Sequence, residues 1–321
     1  MLLTLAIAVV SLCFGQYGLS IGDVLFQLAH PHNSADIAHQ IVWSVRLPRI
    51  LMALLAGGAL GLRGATLQGV FQNPLVDPHI IGVTSGSAFG GTLAILLGLS
   101  MPMMMGTTFF FGLLALTLVY LLAALQKRES TLVLILAGII LSGFFAALVS
   151  LMQYMADTEE VLPNIVFWLL GSFATANWTK VLLLALPMTV AAIILFKLRW
   201  RINLLSLDDK DARALGVQVT ALRRGVLLCC ALLVAAQVAV SGSIAWVGLV
   251  IPHLARMLAG ADHRRLLPCA FWLGASFMVL VDDLARTLTA AEIPIGIITA
   301  LVGAPLFTVM LVRASRKGML K

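Results

Sequence analysis

Few residues in this 321-residue chain have the types and spacing for chemistry. His30, His32 and His39 cluster loosely, while His79, His253 and His263 stand apart. That spacing defines no ligand geometry, and an exposed polar segment collects histidine without binding metal, so no metal site is expected. Cys13, Cys229, Cys230 and Cys269 all fall in apolar segments and match neither a disulfide framework nor a zinc pattern. There is no phosphate-binding GxxxxGK[ST] loop, no GxGxxG in a strand–helix context and no HExxH. No Ser/His/acid set can be assembled, so no catalytic residue is assigned and the chain is expected not to be an enzyme. Asp282 and Asp283 are acids inside an apolar run, and an ion-coupled carrier would need such groups. Arg286 follows them three and four residues on, so local pairing along one helix is the preferred reading. Arg63 is the remaining embedded charge.

The elements that must position these residues are apolar. The sequence is 61% hydrophobic and 11% charged, with a mean hydropathy of +1.04. A soluble domain of this length could not cover itself with so few charges. The fold class is an all-α polytopic membrane protein with about ten transmembrane helices in a single domain, 1–321. The spans fall at about 1–17, 47–70, 80–99, 106–125, 132–154, 179–197, 225–241, 245–260, 266–286 and 294–313. The opening MLLTLAIAVVSLCFG lacks a basic region and a small-residue cleavage site, and reads as a retained first span.

Charge orients the spans. Even-numbered turns hold most of the Lys and Arg: Lys127 and Arg128, the long polar loop, Arg256 with Arg264 and Arg265, and the chain end from Arg313. Odd-numbered turns lean acidic, at Asp23, Asp36, Asp157, Glu159, Glu160 and Glu292. Positive charge marks the cytoplasmic side, which places both termini there. The net charge of +7 therefore reports topology, and no nucleic-acid partner is expected. Arg46 and Arg49 in VRLPRIL, and Arg286, stand on the wrong side. Snorkelling at helix ends and contact with a partner both account for them.

Three stretches are irregular. Residues 225–260 hold two crossings in a run barely long enough, and 161–178 suggest a short helix at the outer face. Gln72 to Gly91 is rich in small residues that let helices approach closely. Met101, Met103, Met104 and Met105 suit packing at the membrane surface, or a bulky apolar ligand. The loop at about 199–224 reads as short helices, with Asp208, Asp209 and Asp211 at an N-terminus and Gly216 as a stop. A folded, charged loop on one side of a membrane protein suits a partner.

In order along nearly the whole chain stand RLPRIL (46–51), GATLQGVFQNPLVDPHIIGVTSGSAFG (64–90), LAGIILSG (136–143) and LLGSFATANW (169–178). LLSLDDKDARALGV (204–217), GSIAWVGLVIPHLAR (242–256), DHRRLLP (262–268) and EIPIGIITALVGAPLF (292–307) follow. With these the chain resembles the FecCD-type permease subunits of ATP-binding-cassette (ABC) importers for iron-siderophores, haem and cobalamin. Asp208 stands where the family usually has Gly, and Trp246 where Phe is common. The basic N-terminal tail of many members is absent.

The resemblance implies a type II importer permease that translocates a metal chelate, an iron complex first, with cobalamin or molybdate/tungstate as alternatives. It implies a homodimer in the inner membrane of a bacterial or archaeal cell. Two cytoplasmic ATPase subunits would carry ATP and Mg, with no cofactor in this chain, and a periplasmic or lipid-anchored binding protein would deliver cargo. Carried over by position, Leu205, Leu207, Asp209, Ala212, Arg213, Leu215 and Gly216 would couple to the ATPase. Ser130 and Thr131 would form the cytoplasmic gate, and Arg46, Arg49 and Arg286 would dock the binding protein.

Overall fold

A computed structural model describes residues 1–15, 17–30, 36–74, 76, 81–125, 131–207, 209–289 and 291–316. Among them every regular element is a helix. The first four are α1 (Leu2–Ser11), α2 (Ile21–Ala29), α3 (Ile37–Gln40) and, after a π-helical turn at Ile41–Arg46, α4 (Leu47–Val70). Then come α5 (Val83–Leu96), α6 (Met101–Leu125), α7 (Thr131–Met155), α8 (Val161–Leu169) and α9 (Trp178–Leu205). The last five are α10 (Asp209–Ala214), α11 (Val219–Ser241), α12 (Val247–Ala259), α13 (His263–Thr287) and α14 (Ile295–Arg316).

Six helical stretches are long and apolar enough to cross a membrane, namely Ile37–Val70, α6, α7, α9, α11 and α13. Four shorter apolar helices lie at the other predicted spans: Leu2–Ser11, Val83–Leu96, Val247–Ala259 and Ile295–Met310. The second span starts ten residues earlier than expected, because α3, the π turn and α4 run on as one helical stretch of 34 residues. Pro48 sits inside it. Proline lacks the N–H that an α-helix needs, and the wider π turn just before it relieves that demand.

Helix α4 is the hub, packed on α13, α12, α9 and α11. Its glycines make this possible. A Cβ at Gly57 would stand 2.2 Å from the Gly274 carbonyl oxygen, one at Gly61 2.2 Å from that of Ala270, and one at Gly64 2.0 Å from that of Gly248. Backbones this close gain dispersion contact that larger side chains would forbid. The same reason accounts for glycines in the stretch after Gln72. Gly86 and Gly90 abut the backbone of α6, and Gly91 faces the Trp168 ring.

The polar loop is shorter and simpler than the sequence suggests. Helix α9 runs through Lys197, Arg199 and Arg201 to Leu205, since Lys and Arg are good helix formers and charge alone does not end a helix. Helix α11 begins at Val219. Between them stands one six-residue helix, α10, in place of the several expected.

Gly216 does stop it. With φ of +80°, its N–H donates to the Arg213 carbonyl (2.9 Å) and that of Val217 to Ala212 (3.2 Å), closing a Schellman turn. Open space surrounds Gly216, so strain is the only cost of a side chain there. Gly216→Ala is therefore expected to lower stability by about 1 kcal/mol, read as a small fall in melting temperature with secondary structure unchanged.

Candidate functional site

Two polar constellations occupy opposite ends of the bundle. At the end bearing α10, side chains tie off helix termini. Gln72 donates to the carbonyl oxygens of Leu205 (3.1 Å) and Leu207 (2.6 Å), capping α9, whose last carbonyls have no helical partner. The Asn203 amide donates to Asp262 (2.7 Å), and its oxygen accepts from the His263 backbone N–H (2.8 Å). Arg264 lies over the Trp200 ring, 5.0 Å from its centre. The start of α13 is thereby fixed to the end of α9.

Asp262 caps α13, accepting from the Arg264 N–H (2.9 Å) and guanidinium (2.8 Å). These bonds, with that of Asn203, hold its carboxyl well below the usual carboxylate range. A depressed folded pKa means stability that is present above the unfolded value of about 4 and is lost as pH falls through the folded one. Acidification below about pH 4 should therefore lower the melting temperature more in the parent protein than in Asp262→Asn, which keeps an acceptor but does not titrate.

The seven coupling candidates divide into anchors and a presented face. Leu205 and Ala212 are fully buried, and Asp209 pairs with the buried Arg223 guanidinium at 2.7 Å. Leu207, Arg213, Leu215 and Gly216 face outward, Leu215 with 62% of its surface exposed. Beside them opens a groove of about 790 Å³ between α9 and α11, lined by Leu198, Trp200, Arg201, Leu204, Leu215 and Val217. Asp208 lies outside the described residues, as does Ser130 of the gate pair. Thr131 is the first residue of α7 and is half-buried.

At the opposite end the three arginines correct an expectation. Arg46 and Arg49 do not project outward: Arg46 is 3% exposed, and Arg49 and Arg286 are each 6% exposed. Arg49 grips Asp282 on α13 (3.0 Å) and Glu292 in the α13–α14 turn (2.7 Å). Arg286 donates to the Ser11 carbonyl (2.7 Å), the Phe14 carbonyl (3.0 Å) and the Asp283 carboxylate. Arg46 donates to the carbonyls of Leu12 (2.6 Å) and Tyr17.

The reason is that α1 ends here, and its last carbonyls need donors in a half-buried place. The local pairing foreseen for Asp283 and Arg286 is present, but Asp282 turns chiefly to Arg49, from a distant part of the chain. Arg46, Arg49, Arg286 and Glu292 still floor a pocket of about 260 Å³.

Two of the three irregular stretches, 161–178 and 225–260, meet at this end. The N–H groups of Ser172, Ile295 and Gly296 donate to the carbonyls of Ser241, Gly171 and Leu170, each at 2.9 Å. These bonds knit the end of α8 to the break after α11 and the start of α14. In that break Trp246 holds φ of +70° in a γ-turn closed by Val247 N–H to the Ala245 carbonyl (2.9 Å), a strained form for a bulky residue. Its Cβ lies where any side chain at Gly303 would go. Sequence reasoning missed Gln72, Asn203 and the buried Lys180. Lys180 carried the one available signal, an odd-side basic residue opening an apolar span.

Among the described residues no group of three or more His, Cys, Asp or Glu is placed to hold a metal. His30 stacks on Phe26, and His39 is buried.

Residues 3–313 match the model of the FecCD transport family. The molybdate import system permease protein MolB of Haemophilus influenzae is 55% identical over 321 aligned residues, 99% of this chain and 95% of the relative. The hemin transport system permease HmuU of Yersinia pestis is 37% identical, covering 96% of this chain and 94% of the relative. The vitamin B12 import permease BtuC of Klebsiella pneumoniae is 35% identical, covering 99% and 93%. A solved ABC transporter assigned to the metal-chelate type, in an inward-facing conformation, superposes with a TM-score of 0.90 at 55% identity, covering 97% of both chains. With its glycine-packed hub, its folded polar loop and near full-length similarity to these permeases, the chain belongs to the FecCD transport family and is an ABC importer permease.

Proposed function

We propose that this chain is the membrane-spanning subunit of an importer for a molybdate-class oxyanion. The carrying observation is the 55% identity, over nearly the full length of both chains, to a permease described as importing molybdate. The iron complex that the sequence resemblance put first becomes the second reading. It is favoured by 37% identity to a probable iron chelatin permease of Helicobacter pylori.

In this reading the chain crosses the cell membrane ten times, using the six long and four shorter apolar helices, with both termini and α10 in the cytoplasm. Two copies form the pathway. Two ATPase subunits grip the loops, and ATP-driven closure moves α10 with the α9 and α11 ends to which Asp209, Ala212 and Leu205 anchor it. Thr131, with Ser130, gates the cytoplasmic mouth. Differential contacts in the inward- and outward-open states supply the coupling. A binding protein docks at the other end, where Arg46, Arg49 and Arg286 serve as the floor of the pocket and not as extended arms.

The test is uptake into proteoliposomes holding this chain, its ATPase and its binding protein. ATP-dependent accumulation of labelled molybdate, unaffected by excess ferric chelate, is the expected result. Accumulation of the ferric chelate alone selects the second reading. Ion-driven uptake by this chain without the ATPase overturns both. A cysteine at Thr131 should cross-link between copies in one nucleotide state only, and absence of any cross-link removes the gate assignment.

A further inference from the structure

Lys180 lies in the first turn of α9, begun by the Asn177 side chain accepting from the Lys180 N–H (2.9 Å). Its side chain is turned inward, with only 5% of the residue exposed. Its Nζ donates to Thr175 Oγ1 at 2.5 Å, and among the described residues it has no carboxylate partner. A buried ammonium without a counter-charge is costly, and proteins normally pair it or bind something to it.

Lys180 lines a cavity of about 170 Å³ at the end of the bundle opposite α10, where α5, α6, α8, α9 and α11 converge. The polar side chains lining this cavity carry one ammonium and three hydroxyls, and no carboxylate. Lys180 has two N–H donors beyond the one given to Thr175. The Thr175 hydroxyl accepts from Lys180, which leaves its hydrogen free to donate. Ser172 Oγ accepts from the Ala174 N–H (3.0 Å), which leaves its hydrogen free as well. Ser241, also in the wall, is spent on Gln237, giving to its carbonyl and accepting from its amide at 2.9 Å each. The rest of the wall is apolar, led by Met101, Met104, Phe167 and Trp168, and no acid lines it.

A cavity that offers a cation and hydroxyl donors, with no acidic acceptor, selects an anion. We propose that the Lys180 cavity binds a tetrahedral oxyanion, with Lys180, Thr175 and Ser172 as its donors. The same chemistry is offered by a free oxyanion and by the phosphate of a lipid headgroup. The family assignment rests on the whole chain, so losing this site would leave it untouched.

The test uses the full chain purified in phospholipid-free maltoside, with binding followed by calorimetry and by melting temperature. Sodium molybdate, sulfate and phosphate are titrated against sodium chloride at matched ionic strength. In a parallel arm, phosphatidylglycerol is added without free oxyanion. The proposal expects saturable heat and a rising melting temperature with an oxyanion but not with chloride. Apparent affinity should be at least tenfold weaker in Lys180→Met and retained within a few-fold in Lys180→Arg. A response to phosphatidylglycerol alone, lost in Lys180→Met, assigns the site to a headgroup phosphate. Should Lys180→Met fail to fold, Thr175→Val and Ser172→Ala must each weaken the response. No saturable response in the parent protein, or an equal one in Lys180→Met, overturns the proposal.

Discussion

Replacing Asp282 by alanine should lower stability by about 3 kcal/mol or more, the usual cost of stranding one member of a buried ion pair. Arg49 would keep Glu292 in the turn but lose the carboxylate on α13 that takes its Nε and Nη2. Nothing else described contacts the guanidinium to share the loss, and water is largely excluded at 6% exposure. Arg49→Met should also be costly, because it leaves the buried Asp282 with only the more distant Arg286 guanidinium, at 3.9 Å.

The double variant Arg49→Met/Asp282→Leu should be less damaged than the two single costs added together. A buried pair replaced by apolar side chains of similar volume forfeits its desolvation penalty along with its attraction. Denaturant unfolding of the four proteins in one detergent measures the coupling. Strict additivity of the single costs would mean that the pair contributes nothing. Reversing Arg46 and Arg49 to Glu, a natural test of docking, should instead disrupt the α1–α4–α13 corner. It would set a new acid at position 49 beside Asp282 and Glu292, while the change at position 46 removes the donors to Leu12 and Tyr17.

What the sequence revealed follows from the range of each interaction. The apolar runs were legible because each helix carries its own length and composition: each predicted span overlaps an apolar helix, and six of these are long enough to cross a membrane. The stop at Gly216 was legible because a left-handed turn is a local demand that glycine meets. The start of the second span was not, since the helix enters through a π turn whose only local sign is Pro48. The extension of α9 was hidden by treating Lys197 to Arg201 as loop on account of charge, although their backbone preference is helical.

The three arginines show the limit most clearly. Their type and their shared end of the bundle were readable, and they do gather there. Their direction was not, because it depends on the carbonyls of Ser11, Leu12 and Phe14 at the end of α1 and on Glu292, none of them sequence neighbours. Lys180 was overlooked for the same reason: its burial is decided by α5, α6 and α11, which converge on it only in the fold.

The division of the loop into anchors and a presented face makes the remaining prediction specific. Leu215→Glu should weaken association with the partner ATPase by about 2 kcal/mol, roughly thirtyfold, the loss typical when an apolar anchor at the heart of an interface is replaced. Leu215 makes itself available for that role: it lies at the end of α10, is largely exposed, and borders the groove between α9 and α11. The side chain carries none of the loop's own structure, which rests on Ala212, Leu205 and the Asp209–Arg223 pair. The melting temperature of the isolated permease should therefore stay within a degree or two of the parent, the usual result for a surface substitution.

ATP-dependent uptake should fall with ATPase association. Arg223→Ala offers the contrast. It should remove the Asp209–Arg223 ion pair, loosen α10 and reduce stability and uptake together. If Leu215→Glu retains full ATPase binding and uptake in proteoliposomes, the exposed edge of α10 is a solvated connector, and force must reach the bundle by another surface.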